Sequence, residues 1–241
     1  MSGGYGRALR AELAKQRRTF VWGLVALGPI GVVALQAANY AVRYDYLTNL
    51  YADDPWGGLV GNVKWLAVPA LMAGLAIVAS MLAGYEHATN AWKQTLALPV
   101  SKTAVYTAKV SVLTMQLLAS CTLLALGTLV LGAALGHDLT GAPFADVLAM
   151  SYLPLVAALP FLALQTWLST VLHNQAVPLT VGILGTVLAM YSFAFADWVP
   201  YKWLYVGETG WPVPLTLALG AGAGLLLYGL GAAHFGRRDV R

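Results

Sequence analysis

Residues 86–109 read EHATNAWKQTLALPVSKTAVYTAK, a polar island between two apolar runs of membrane-spanning length. A connection at a membrane edge need only reach the next helix, so such segments are usually short. This one offers a helix-forming stretch with Trp92 and Leu96 four residues apart, and Ala88 and Thr95 flanking the same side. Lys93 and Gln94 point elsewhere. Leu98-Pro99-Val100 then breaks the helix, because proline disfavours helical geometry at the residue before it. Ser101 follows, placed to accept from the exposed amides of the next helix as its N-cap. A short helix with an aromatic–aliphatic face suits a groove on a cytosolic partner. The same face also suits lipid headgroups, and the residues alone leave both readings open.

Outward from this island, the chain is 241 residues long, 59% hydrophobic and 10% charged, with mean hydropathy +0.68. Soluble domains carry about 25% charged residues, so this composition describes an integral membrane protein. The opening MSGGYGRALRAELAKQRR has no short apolar core before a small-residue cleavage site, so no removable leader is expected. The single cysteine, Cys121, lies in an apolar run and reads as a small packing residue.

A helix needs about 20 apolar residues to cross a bilayer. Six runs qualify, near Phe20–Ala38, Trp65–Ala83, Val110–Leu135, Val147–Leu172, Pro178–Ala196 and Leu215–Phe235. Period-two alternation is missing, so an outer-membrane barrel is disfavoured. The expected fold is an all-α membrane protein forming one transmembrane domain over 1–241. It comprises an interfacial N-terminal helix over 1–19, six spans within 20–235 and a tail over 236–241.

Lys and Arg set the orientation. With both termini cytoplasmic, that side holds Arg7, Arg10, Lys15, Arg17, Arg18, Lys93, Lys102, Lys109, Arg237, Arg238 and Arg241. The other side holds Arg43, Lys64 and Lys202, with Asp45, Asp53, Asp54, Asp138, Asp146, Asp197 and Glu208. The net charge of +4 is thus a topology signal, not a nucleic-acid signal. In the N-terminal segment, Tyr5, Leu9 and Leu13 share one helical face, with basic residues around the rest, as in a helix lying in the headgroup plane.

No acidic or basic residue lies deep inside a span, which argues against an ion-driven carrier or a charge-lined channel. The deep polar groups Gln36, Gln116, Ser120 and Gln165 read as interhelical hydrogen-bonding residues, since unpaired polar groups are costly in lipid. Gly28-Pro29 interrupts the first span; Pro154 and Pro160 punctuate the fourth. Gly220 and Gly224 form a GxxxG pattern for close packing, within the subunit or across a dimer.

Catalytic constellations are not evident. A GxxxxGK phosphate cradle is missing, so ATP hydrolysis by that machinery is not expected on this chain. Glu86-His87 lacks the further ligands of an HExxH zinc site, and neither His173 nor His234 has a neighbouring acid. Trp56, Trp65, Trp198, Trp203 and Trp211 fall at or beyond the outer boundary. Interfacial anchoring explains such rings. Trp198, Trp203 and Trp211 also qualify as cargo contacts or an outer gate, since aromatics are enriched at recognition surfaces.

The stretch EHATNAWKQTLALPVSKTAVYTAKV resembles the first cytoplasmic loop of ABC-2-type transporter permeases. It is most similar to the lantibiotic-immunity and bacitracin-resistance branch, in which an acidic residue precedes a W–K–L–ALPVS–Y–AK pattern. On that match Glu86 takes the acidic position. Trp92, Lys93, Leu96, Leu98, Pro99, Val100 and Ser101 fall on the ATPase-coupling helix, and Tyr106 and Lys109 open the third span. Lys102 stands where many members have Arg, which keeps the charge but not the bidentate hydrogen bonding.

The resemblance implies a permease in the bacterial cytoplasmic membrane, paired with an identical or homologous second subunit. Two copies of a separate cytosolic ABC ATPase would hold ATP and Mg, leaving this chain without a cofactor. A peptide antibiotic or lipid-like amphiphile would be the cargo. A lipid, polysaccharide or maturation factor is the alternative cargo, and a scaffold or sensor the alternative role.

Overall fold

The computed structural model describes residues 2–16, 19–88 and 100–237. Ten α-helices carry the described chain. They are α1 Ser2–Gln16, α2 Val21–Val42, α3 Tyr44–Leu50, α4 Pro55–Ala88, α5 Lys102–Ala134, α6 Phe144–Ala157, α7 Leu159–Val171, α8 Ala176–Met190, α9 Pro200–Trp203 and α10 Val213–Arg237. Among the described residues there is no strand, as expected where every backbone polar group must be satisfied without water.

Four helices, α2, α4, α5 and α10, are each long and apolar enough to cross a membrane. The expected fourth span is the pair α6 and α7, bent by 49° at their junction. Its cause is in the sequence: Pro154 and Pro160 flank Ala158, where the chain turns. The backbone repairs itself there, with the Ala158 amide donating to the Pro154 carbonyl at 2.8 Å and the Leu162 amide to Ala158 at 2.9 Å. The expected fifth run is a 15-residue helix, α8, followed by a 3-10 turn at Ser192–Ala194. At 1.5 Å per residue it is about 22 Å long, against about 30 Å of hydrocarbon.

Each deep polar residue singled out above joins two helices. Gln36 on α2 donates to the Asn62 carbonyl on α4 at 2.9 Å, and Gln165 on α7 to the Pro178 carbonyl on α8 at 2.8 Å. The Gln116 amide on α5 donates to Gln16 Oε1 on α1 at 2.7 Å. Ser120 Oγ on α5 donates to the Val25 carbonyl on α2. Because lipid is as apolar as leucine, such bonds and close packing must hold a bundle together.

The glycine pair on α10 packs within the subunit. A Cβ on Gly220 would lie 2.8 Å from Ala157 Cα, and one on Gly224 would lie 2.5 Å from Leu159 Cβ. The two glycines let α10 close on the bend between α6 and α7.

Candidate functional site

The segment that decided the fold is framed by its two stems, the end of α4 and the start of α5. Trp92, Lys93, Leu96, Leu98 and Pro99 lie outside the described residues. Val100, Ser101 and Glu86 are described, and they show how the loop is held.

On the α5 side, Ser101 has extended backbone (φ −68°, ψ 144°), and its Oγ accepts from the Ala104 amide at 3.2 Å. It is the N-cap that its position predicts. Val100 packs beside Leu9 against Ala8, Val105 and Ala108, which joins this stem to α1.

On the α4 side, Glu86 is 2% exposed and pairs with two lysines. Its Oε1 lies 2.6 Å from Lys15 Nζ, and its Oε2 pairs with Lys109 Nζ. A second carboxylate, Glu12 on α1, meets the same lysines: 2.8 Å to Lys15, and 3.2 Å from each of its oxygens to Lys109. Each lysine therefore bridges both acids, and each acid bridges both lysines. Three helices are joined by a four-charge ring with no net charge.

The geometry follows from helical spacing. Glu12 and Lys15 are three residues apart and share a face of α1. Ala8, Glu12 and Gln16 recur every four residues and are the buried positions of that helix. On α5, Val105, Lys109, Val112 and Gln116 form the facing ridge. Tyr5 is 37% exposed, while Leu9 and Leu13 are only half-buried. The face that α1 turns to the protein is thus offset from its apolar stripe.

Energetically the ring is all-or-nothing. Breaking a buried ion pair by removing one partner costs about 3–5 kcal/mol, because a desolvated charge is left behind. Burial alone would lower the Lys15 ammonium. The charges of Glu86 and Glu12, with hydrogen bonds to both, outweigh that effect and leave it above its ordinary value.

The histidines take structural places. His87 Nε2 lies 3.3 Å from the Ser169 carbonyl, and its ring sits 4.6 Å from that of His173. His234 Nδ1 accepts from the Trp167 indole at 3.2 Å. Among the described residues, no group of three or more His, Cys, Asp or Glu could hold a metal.

Of Trp198, Trp203 and Trp211, the last two pack in one cluster. Trp203 is 8% exposed and donates to the Asp197 carbonyl at 2.8 Å. Trp211 packs partly buried against the same cluster, whereas Trp198 is 70% exposed.

With this geometry in hand, the model for ABC-2 family transporter proteins matches residues 8–189, well over half of the chain. The chain belongs to the ABC-2 transporter family. An ABC-2 permease is the transmembrane subunit of its transporter and not the catalyst, and the family implies an ABC ATPase as partner. All four members of the charge ring fall inside the matched region, and Trp198, Trp203 and Trp211 fall beyond it. No curated protein and no solved structure matches this ABC-2 permease.

The motif pointed to Glu86 and Lys109 separately, and neither Glu12 nor Lys15 was singled out; Glu12 was the harder to see. Its partner Lys109 is 97 residues away, and the signal available was an acid on a basic helix, three residues before a lysine.

Proposed function

We propose that this permease exports or extracts an amphiphilic compound, a membrane-active peptide antibiotic in the first instance. It works in the bacterial cytoplasmic membrane with six spans and both termini in the cytosol. Two copies of a separate ATPase drive it, and a second permease subunit, identical or homologous, completes the transporter.

One observation carries the coupling role. Glu86 lies three residues before the undescribed segment 89–99 and is ion-paired to Lys109, which lies beyond it. That pair ties the two stems together, so a push on the segment is delivered to α4 and α5 as a unit. Because Glu12 and Lys15 join the same ring, α1 moves with them. The W–K–L–ALPVS–Y–AK pattern over Trp92–Lys109 supports the branch and, through it, the cargo class.

The test is co-purification followed by ATPase measurement in lipid nanodiscs. Trp92→Ala or Leu96→Asp should release the ATPase while the permease stays inserted, at a cost of about 2 kcal/mol or more for a buried anchor. Unchanged co-purification with both variants would sink the coupling assignment. A stable complex whose ATPase ignores every amphiphilic cargo would favour the scaffold role.

A further inference from the structure

Between α4 and α6 lies a cleft of about 190 Å³, bounded by Val60, Lys64, Asp146, Met150, Pro154 and Val206. Its walls are apolar and its charged groups are Lys64, in the third turn of α4, and Asp146, in the first turn of α6. Asp146 to Pro154 spans eight residues of α6, so the cleft runs about 12 Å along it. Met150 and Pro154 also line a second cavity of about 40 Å³, bordered by Pro29, Ser120 and Cys121. The two spaces therefore share a wall. Pro154 has no N–H to give the Met150 carbonyl, so that wall lacks one helical hydrogen bond.

Charge decides what the mouth can receive. Lys64 is already engaged, 2.7 Å from Glu208 on the loop that also supplies Val206. The Asp146 carboxylate makes no ion pair among the described residues. The outer side as a whole holds seven acidic against three basic side chains. Lys202 is bound to Asp197, and Arg43 lies 4.7 Å over the Tyr46 ring. An anionic head would have to displace Glu208 and then sit beside Asp146. A cationic head meets an unpaired carboxylate and an acidic field.

We propose that this cleft binds a single-chain amphiphile bearing a cationic group, with its chain between α4 and α6 and its charge at Asp146. The inference rests on the exporter reading above and gives that reading a site. Asp146 also lies in the first turn of α6, where a carboxylate stabilises the helix end. A substitution there must therefore be accompanied by a fold check.

The chain's single cysteine makes the experiment direct. In a Cys121→Ser background, Ala149→Cys places a thiol on the cleft wall, and Asp53→Cys places one in an outer loop away from it. Both are alkylated in nanodiscs by a membrane-impermeant reagent, using the permease–ATPase complex with dodecyltrimethylammonium or dodecyl sulfate. The cationic probe should slow labelling at Ala149→Cys about tenfold, as binding at ten times Kd would. Dodecyl sulfate should not, and Asp53→Cys should be indifferent to both. Asp146→Asn, with its melting temperature unchanged, should abolish the difference between the probes. Equal protection by the two probes, or protection at Asp53→Cys as well, would overturn the assignment. Stimulated ATPase without protection would also overturn it while leaving the exporter reading intact. Protection without stimulation would uphold the site and refute the exporter reading.

Discussion

Ser120 donates its hydroxyl to the Val25 carbonyl, the one acceptor that Pro29 leaves without a partner in its own helix. A helical carbonyl receives the amide four residues on, and proline has none. The break in α2 is therefore repaired from α5, beside the 40 Å³ cavity that both residues line.

Removing the hydroxyl should leave that carbonyl unsatisfied. Ser120→Ala is expected to destabilise the permease by about 1–3 kcal/mol. Pro29→Ala restores the helical amide, so in its presence Ser120→Ala should cost little. Thermal unfolding of the two single variants and the double variant gives the coupling. Additive losses would mean that the hydroxyl serves another group.

The charge ring makes a similar non-additive case. Lys109→Met alone should cost about 3–5 kcal/mol, because it strands two carboxylates with one lysine. Lys109→Met with Glu12→Leu removes opposite charges together and should cost much less than the single change. Denaturation in mild detergent measures both. A double variant at least as unstable as the single one would show that packing, not charge balance, holds α1 to α5.

Gly220 and Gly222 offer a matched comparison on one helix. A Cβ on Gly220 meets backbone at 2.8 Å, while one on Gly222 meets nothing within 4 Å. Gly220→Ala should destabilise and alter the bend between α6 and α7. Gly222→Ala should be neutral or stabilising by up to about 1 kcal/mol, from helix propensity. Equal effects would contradict the close approach of α10.

The Asp197 carboxyl is held below its ordinary range by the Lys202 ammonium, 2.7 Å from Oδ1, and by the Gly210 amide. A folded value below the unfolded one stabilises fully above the ordinary range, near about 3.9. It is lost as pH falls through the lowered folded value. The protection factor of the Gly210 amide, its exchange relative to the intrinsic rate at each pH, should therefore fall on acidification, and Asp197→Asn should flatten that profile. A protection factor independent of pH in the parent protein would dismiss the anchor.

Orientation can be read by thiol labelling in whole cells. In the Cys121→Ser background, Asp53→Cys, Asp138→Cys and Glu208→Cys should react with an impermeant reagent. Gln94→Cys and Arg238→Cys should react only after the membrane is opened. Labelling of Gln94→Cys from outside would reverse the topology and the coupling assignment together.

What was legible in the sequence was what a short range decides. Ser101 as a cap and the prolines that bend α6 into α7 are local chemistry. Gln36, Gln116, Ser120 and Gln165 were recognisable as interhelical bonds because lipid leaves a polar group few choices. Glu12 was hidden, since pairing across 97 residues leaves no periodic trace. The buried face of α1 was hidden for a different reason. Lipid and protein interior are equally apolar, so the stripe of Tyr5, Leu9 and Leu13 did not reveal that the most buried positions are Ala8, Glu12 and Gln16. The same ambiguity left the partner of Gly220 and Gly224 undecided until α10 was placed.

The ring of Glu12, Lys15, Glu86 and Lys109 also sets an order of assembly. Translation delivers α1 first, with an acid and a base that satisfy each other at 2.8 Å. Glu86 arrives next and tips the group to a surplus negative charge, which persists until Lys109 emerges with α5. A newborn chain halted between these two helices carries an unbalanced carboxylate at the membrane edge, and one that has passed Lys109 does not. Only once α5 is in place do the two carboxylates of the ring meet two ammonium groups.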